Sequence, residues 1–338
     1  MCYNNTNYYL ISLFLIPASV AQAASLTWNN GLANMQWDTT STNWTGSIWN
    51  NATPDSAIFG ATGVGTVSLS TPITTAGLTF NTAGYIISSN TLTLSGTPTI
   101  TTNADATISS ILAGTGFTKT GSGVLTLSGT NTYTATTTIN QGNLLLATAN
   151  AVAGIKGDVI VNNGGTLSFS ALYQELGTAP TNTVIVNNGG TLTLNKTQTF
   201  NNLTLNSTNI TTSISGVNDS WGSINILGTL TASGTSQINP GASGSNQITP
   251  GGSGNRTLTV STPASGDSLT IAAIVKDYDT SNKYSLTKTG LGTLSLSAAN
   301  SYSGGTTISS GTIRISNSSA LGTSTSGLTI NNGSTLQA

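Results

Sequence analysis

The sequence repeats itself, and this internal repetition constrains the fold more than any other feature. Residues 117–167 align without a gap with residues 286–336, and 20 of the 51 aligned positions are identical. A shorter string, VIVNNGGTL, occurs at 159–167 and again, letter for letter, at 184–192. An element that recurs after 25 residues matches about one coil of a parallel β-helix, in which each coil stacks on the next. The repeats therefore predict an all-β fold, a parallel β-helix or β-solenoid.

Within the repeats, aliphatic residues alternate with small polar residues, as in VLTLS at 124–128 and TLSLS at 293–297. Such alternation puts the aliphatic side chains on one face of a strand and the hydroxyl side chains on the other. Short strands between glycine-rich turns also fit a sandwich or a barrel, and the stacking repeat favours the solenoid. The Asn-Asn pairs at 162–163 and 187–188 occupy matched turns, so we expect stacked side-chain ladders there.

The composition excludes several classes of function. Charged residues make up 5% of the chain and the net charge is -1, whereas a nucleic-acid-binding protein needs a stripe of lysine and arginine to neutralise phosphates. There is no histidine, and the single cysteine is Cys2. Zinc sites built from cysteine and histidine, Ser-His-Asp triads and disulfides are therefore excluded.

The N-terminus resembles an export signal. Residues 8–16 read YYLISLFLI, and Pro17 and an Ala-x-Ala site at 21–23 follow, which is the pattern of a secretory signal peptide. The amino-terminal region lacks the usual lysine or arginine, and the alternative is a buried first strand. No other segment is apolar over about 18 residues, so we expect no transmembrane helix. We predict a signal peptide at 1–23, a Trp-rich cap at 24–60 and a β-helix at 61–338.

The longer repeat resembles a known family motif. The string TKTGSGVLTLSGTNTYTATTTINQGNLLL and its second copy TKTGLGTLSLSAANSYSGGTTISSGTIRI are similar to the autotransporter-associated β-strand repeat (passenger-associated transport repeat). The motif falls on residues 119–144 and 288–313, and it departs from the family pattern at Ala135 and Ala298, where the family has glycine. The direct resemblance covers about 80 residues.

The resemblance implies a fold and a function. It implies a right-handed parallel β-helix that is exported as an autotransporter passenger domain by type V secretion, and that acts at the cell surface or outer membrane as an adhesin or scaffold. The expected partners are host or matrix glycans or neighbouring cell surfaces, and no nucleic acid. The resemblance also implies an outer-membrane β-barrel downstream of Ala338. The alternatives are a secreted β-helical enzyme that acts on polysaccharide and a freestanding secreted matrix protein.

Two lysines occupy equivalent positions of the long repeat. Lys119 and Lys288 could form a ladder that binds a ligand. Because solvated lysines commonly protect strand rims, and because the two lie 169 residues apart, we expect solvated side chains instead.

The densest acidic group consists of Asp267, Asp277 and Asp279. Its oxygens could supply part of a calcium site, or a carboxylate pair for the cleavage of polysaccharide. No calcium-binding motif accompanies the group, so a charged loop is the favoured interpretation. We predict no catalytic, cofactor-binding or metal-binding residue and no cofactor.

Four tryptophans lie close together in the N-terminal segment: Trp28, Trp37, Trp44 and Trp49. They could stack on sugar rings. We favour a cap over the first coil, because a solenoid must cover its open end and indoles bury much apolar surface.

Overall fold

The computed structural model describes residues 24–170, 174–194, 196–212, 224–240, 247–251, 254–277, 280–323, 325 and 327–338. The predicted signal peptide at 1–23 and Asp279 lie outside these residues. Within them, the chain forms strands β1 to β33 in chain order, and each pairing between strands is parallel.

The chain runs back and forth between two long sheets and forms a β-solenoid, which confirms the predicted fold class. The first sheet stacks fourteen strands in one path, in the order β1 (Ser25–Trp28), β3 (Ser56–Phe59), β5 (Ile73–Phe80), β7 (Thr91–Thr102), β10 (Thr118–Thr120), β12 (Thr137–Ile139), β14 (Val159–Val161), β16 (Thr183–Val186), β19 (Asn202–Asn206), β22 (Thr229–Ser233), β25 (Arg256–Ser261), β28 (Tyr284–Thr289), β30 (Thr306–Ile308) and β32 (Leu328–Ile330). Strand β9 (Ile111–Gly114) pairs with the first part of β7.

The second sheet stacks the strands that alternate with these. Its order is β2 (Gln36–Trp37), β4 (Thr66–Leu69), β6 (Tyr85–Ser88), β8 (Ala106–Ile108), β11 (Val124–Leu127), β13 (Gly142–Leu146), β15 (Gly165–Phe169), β17 (Thr191–Thr193), β20 (Asn209–Thr212), β23 (Thr235–Pro240), β26 (Ser268–Ile271), β29 (Thr293–Leu296), β31 (Thr312–Ile315) and β33 (Thr335–Gln337). A third, short sheet contains β18 (Gln198–Phe200), β21 (Ile224–Ile226), β24 (Gln247–Pro250) and β27 (Ile274–Val275).

The two copies of VIVNNGGTL lie directly on top of each other. Val159 pairs with Val184 in the first sheet, and Leu167 pairs with Leu192 in the second. Each first-sheet strand of the repeat turns alternate aliphatic side chains inward, where they are buried, and leaves the intervening residues partly exposed. The core is therefore a column of aliphatic side chains between the two sheets, as the alternation predicts.

The described residues contain no helix that is long and apolar enough to cross a membrane.

Candidate functional site

The side chain of Lys119 is fully buried rather than solvated. Its Nζ donates to the carbonyl oxygens of Thr120 at 3.0 Å, Gly121 at 2.8 Å and Gln141 at 2.9 Å. A lysine ammonium has three donors, so this cradle of carbonyls satisfies all of them. Two of the carbonyls lie at the end of β10 and in the turn that follows it, and the third belongs to the next coil, so the lysine links two coils.

Lys288 has the same environment in the second copy of the repeat. Its Nζ donates to the carbonyl oxygens of Thr289, Gly290 and Ser310 at 2.7, 2.9 and 3.3 Å. Burial lowers the pKa of both lysines to about 8. The expectation of solvated lysines was wrong. The carbonyl groups of the glycine turn accept hydrogen bonds from the ammonium group, so the lysine side chain stays buried. A ligand-binding ladder is not formed either, since these carbonyls occupy all three donors of each ammonium.

The glycines of the repeat leave room for this cradle. Gly142 has a φ of +69°, and a Cβ atom there would lie against the carbonyl oxygen of Gly121, 2.7 Å from that of Gly123 and 2.9 Å from Lys119 Nζ. Gly311 is positioned in the same way over Gly290 and Gly292. The spacing of lysine and glycines in the motif thus follows from one close contact between successive coils.

An asparagine in each copy also joins neighbouring coils. Asn131 accepts from the backbone N–H of Leu112 at 2.9 Å and donates to the carbonyl of Gly154 at 2.7 Å. Asn300 makes the equivalent pair of bonds, with the N–H of Val275 at 2.8 Å and the carbonyl of Ala320 at 2.6 Å. Both asparagines are buried, so their amides replace backbone hydrogen bonds that the coil corners lack.

The two described aspartates of the acidic group act as backbone caps. Asp267 accepts from the N–H groups of Gly234 and Ala264 at 2.7 and 2.6 Å, and these bonds hold the pKa of its carboxyl below the usual range.

Asp277 accepts from the N–H of Tyr284 at 2.7 Å and from the hydroxyl of Ser303 at 2.6 Å. Asp267 and Asp277 have no partner in common among these bonds, so the structure gives them separate capping roles. No group of three acidic, histidine or cysteine side chains suited to a metal occurs among the described residues.

The four tryptophans form one buried aromatic cluster at the first coil. Trp37 packs edge to face against Trp44 and Trp49, with ring centroids 4.8 and 4.7 Å apart, and Trp28 packs against Trp44 at 5.2 Å. Each indole is at most 2% exposed, so none presents a face on which a sugar ring could stack.

An asparagine ladder runs along one edge of the first sheet, as predicted. Asn162 donates to Asn140 at 2.8 Å, Asn187 donates to Asn162 at 2.7 Å, and Asn206 donates to Asn187 at 2.8 Å. Threonines also stack in register on the outer face of the first sheet, as Thr99, Thr118 and Thr138 do, and the hydroxyls of Thr101 and Thr120 are 2.9 Å apart. The outer surface therefore repeats with the spacing of the strands, about 4.8 Å.

One concave site carries no recognisable signal in the sequence. A groove of about 790 Å³ lies at a corner of the solenoid and is lined by residues of the segments 134–136, 151–158 and 176–182. The segments 151–158 and 176–182 lie outside the repeat motif, and the lining is mostly alanine, threonine and glycine, which are common throughout the chain.

Beside the groove, Glu175 is fully buried. Its Oε1 accepts from the hydroxyl of Ser170 at 2.8 Å, and its Oε2 has no hydrogen-bond partner among the described residues. Burial raises the pKa of this carboxyl to about 7. The burial of this side chain could not be foreseen from a single acidic residue in a corner segment.

Comparison with known proteins supports the resemblance. The family model described as passenger-associated-transport-repeat matches residues 117–146 and 286–315. The chain is also similar to the adhesin BmaC autotransporter of Brucella suis biovar 1 (strain 1330), with 44% identity over 106 residues, which cover 27% of this chain and 3% of that relative. No solved structure matches the chain significantly. The chain thus carries two passenger-associated transport repeats in a β-solenoid of stacked coils, as the resemblance to autotransporter passengers implied.

Proposed function

We propose that the chain is a non-catalytic adhesin or scaffold that is exported and displayed at the bacterial surface. The similarity to an autotransporter adhesin over 106 residues carries this proposal. The similarity to an adhesin also agrees with a secreted or surface-exposed location. Since the chain spans only 3% of that relative's length, its partner is proposed from the chemistry of this chain.

The use of the charged side chains supports a non-catalytic role. Asp267 and Asp277 each direct their carboxylates at backbone N–H groups, and Asp105 and Asp158 accept in the same way from Val124 and Thr183 at 2.7 Å. General acid and base catalysis by a pair of carboxylates requires free oxygens that face one substrate. These capping bonds instead stabilise the corners of the coils.

The outer surface supports an adhesive role. Rows of threonine and asparagine repeat along the sheets with the coil spacing, so a repeating ligand surface can be contacted at many equivalent positions. Contacts that are weak individually become strong in combination when they are linked in one molecule. A rigid solenoid holds such contacts in a fixed order without a deep pocket.

Adhesion of coated beads tests the proposal. Beads coated with residues 24–338 should bind cultured cells or bacterial cell surfaces above the level of albumin-coated beads, and soluble protein should compete. Binding at the albumin level on every surface would contradict the adhesive function. The same protein should release no reducing sugar ends from polysaccharides, and release that is lost in Asp277→Asn would instead support the enzyme.

A further inference from the structure

The corner groove is built from three successive coils. Its first wall is the corner before β12, its floor is the segment 151–158 before β14, and its second wall is the segment 176–182 before β16. Neighbouring coils are about 4.8 Å apart, so the groove spans about 10 Å along the solenoid. Its volume of about 790 Å³ lies in the range of pockets that bind specific ligands, about 300–1,000 Å³.

Hydrogen bonds between the coils fix the walls of the groove. The N–H of Gly154 donates to the carbonyl of Glu175 at 2.8 Å, and the buried Asn182 donates to the carbonyl of Gly157 at 2.8 Å. Asn131 of the repeat holds the carbonyl of Gly154 from the other side. The groove is therefore already formed before any ligand arrives, which lowers the entropy cost of binding.

The lining is rich in small apolar side chains but contains no aromatic residue. It includes Ala151, Ala153, Ala179 and Pro180, which are exposed or partly exposed. Sugar rings are commonly bound by stacking on flat aromatic faces, which the lining lacks. Small methyl groups and a proline ring instead provide shallow contacts for the short side chains and the backbone of an extended peptide.

Two charged residues lie in the segment that forms the floor of the groove. Lys156 is exposed and forms no hydrogen bond or ion pair with the described residues, whereas Asp158, also exposed, keeps its negative charge and accepts a hydrogen bond from the backbone N–H of Thr183 through its Oδ1. The second copy of the repeat has Thr325 and Gly327 at the corresponding positions. Both copies of the repeat therefore contain the lysine, glycine and asparagine residues that join the coils, whereas the charged residues of the groove occur only in the first copy.

We propose that this groove binds an extended peptide segment of a partner protein, with an acidic side chain of the peptide paired to Lys156. About three residues of extended peptide cover the roughly 10 Å between the walls. The carboxylate gains a charge-assisted bond, and its neighbours contact the exposed Ala151 and the partly exposed Pro180. This inference rests on the proposed adhesive function and identifies the kind of partner that one site recognises.

Selection of displayed peptides tests the inference with a defined probe. Random dodecapeptides displayed on phage are selected on immobilised residues 24–338, and the enriched sequence is synthesised with a fluorescent label. We expect enrichment of an acidic residue flanked by small apolar residues. Lys156→Ala should weaken binding of this peptide about tenfold, and Ala179→Arg should abolish it by filling the groove.

Reversing the charges of both Lys156 and the acidic residue of the peptide tests the proposed ion pair most directly. A peptide whose acidic residue is replaced by lysine should bind Lys156→Glu more tightly than the original chain. Lys283→Ala, which removes another exposed lysine, is the matched control and should leave binding unchanged. Failure to enrich any peptide, or binding that is indifferent to both Lys156→Ala and Ala179→Arg, overturns the inference. A glycan array with hits that depend on Lys156 also overturns it, in favour of a sugar.

The bead assay keeps this inference separate from the proposed function. Beads that bind no cells while the peptide still binds the groove would reject adhesion and leave the groove assignment intact. Beads that adhere while no peptide is enriched would reject the groove assignment alone.

Discussion

At the scale of single residues, Glu175 is the clearest case of a buried acid without a compensating charge. Burial raises its pKa to about 7, whereas the unfolded chain has the ordinary value of 4.5. Between these two values the folded state keeps a proton that the unfolded state releases. The free energy of unfolding must therefore fall as the pH rises through this window.

The variant Glu175→Gln isolates this effect. Its free energy of unfolding relative to that of the original chain should rise by about 1–3 kcal/mol between pH 4.5 and pH 8, because each unit of difference between the folded and the unfolded pKa corresponds to about 1.4 kcal/mol. Urea denaturation followed by circular dichroism at several pH values measures the difference. A gap that does not widen with pH would contradict the raised pKa.

Asp267 serves as a control, because its pKa is shifted in the opposite direction to that of Glu175. Backbone N–H groups of Ala264 and Gly234 lower the pKa of its carboxyl, so this group stabilises the fold above its unfolded pKa and loses that contribution as the pH falls through the folded pKa. Asp267→Asn should accordingly be destabilised more at pH 7 than in acid, where both proteins become uncharged at this position. The same urea denaturation series measures both variants, and a loss that is independent of pH would contradict the lowered pKa.

At the scale of the repeat element, the lysine, glycine and asparagine positions of the motif form one unit that joins successive coils. The alternation of aliphatic residues is sufficient to predict the strands, their inward faces and the stacked coils, since these follow from period-two patterning. The pattern could not predict that Lys119 is buried. A lysine in a polar string is normally solvated, and only the turn geometry reveals three carbonyls directed at its ammonium.

The corner groove was beyond prediction for a related reason. Its shape depends on how three corner segments from different coils meet, and the sequence pattern sets no register for residues outside the strands. Asn162 and Asn187, in contrast, lie next to strands with a fixed register, and their ladder could be predicted.

Substitution of a repeat glycine tests the close contact between coils. Gly142→Ala should cost about 3 kcal/mol or more, because the new Cβ meets the carbonyls of Gly121 and Gly123 in addition to the strain of a positive φ. Gly96 has a nearly identical φ of +70°, and a Cβ atom there would have no neighbour within 4 Å, so Gly96→Ala should cost only about 1–2 kcal/mol. Equal losses of denaturation free energy in the two variants would show that contact between the coils is unimportant.

At the scale of the whole molecule, each coil contacts mainly the coils before and after it. Within the described sheets, strand β12 pairs only with β10 and β14, and β30 pairs only with β28 and β32. Stability in such an array is approximately a sum of terms for each coil and for each interface between neighbours. The two copies of the repeat therefore reinforce two separate places along the solenoid.

Because each coil contacts mainly its neighbours, we expect a destabilising substitution in one repeat to loosen only the coils around it. In Gly142→Ala, hydrogen–deuterium exchange should rise in β11, β13 and β15, whose strands stack directly around the substituted residue. Exchange in β29 and β31 should stay at the original rate, because many coils separate the two repeats and exchange reports local opening. Mass spectrometry of peptic fragments resolves these regions, and Gly311→Ala should give the reverse pattern. A uniform rise along the chain in either variant would mean that the solenoid opens as one cooperative unit, in which the two cradles stabilise the whole rod together.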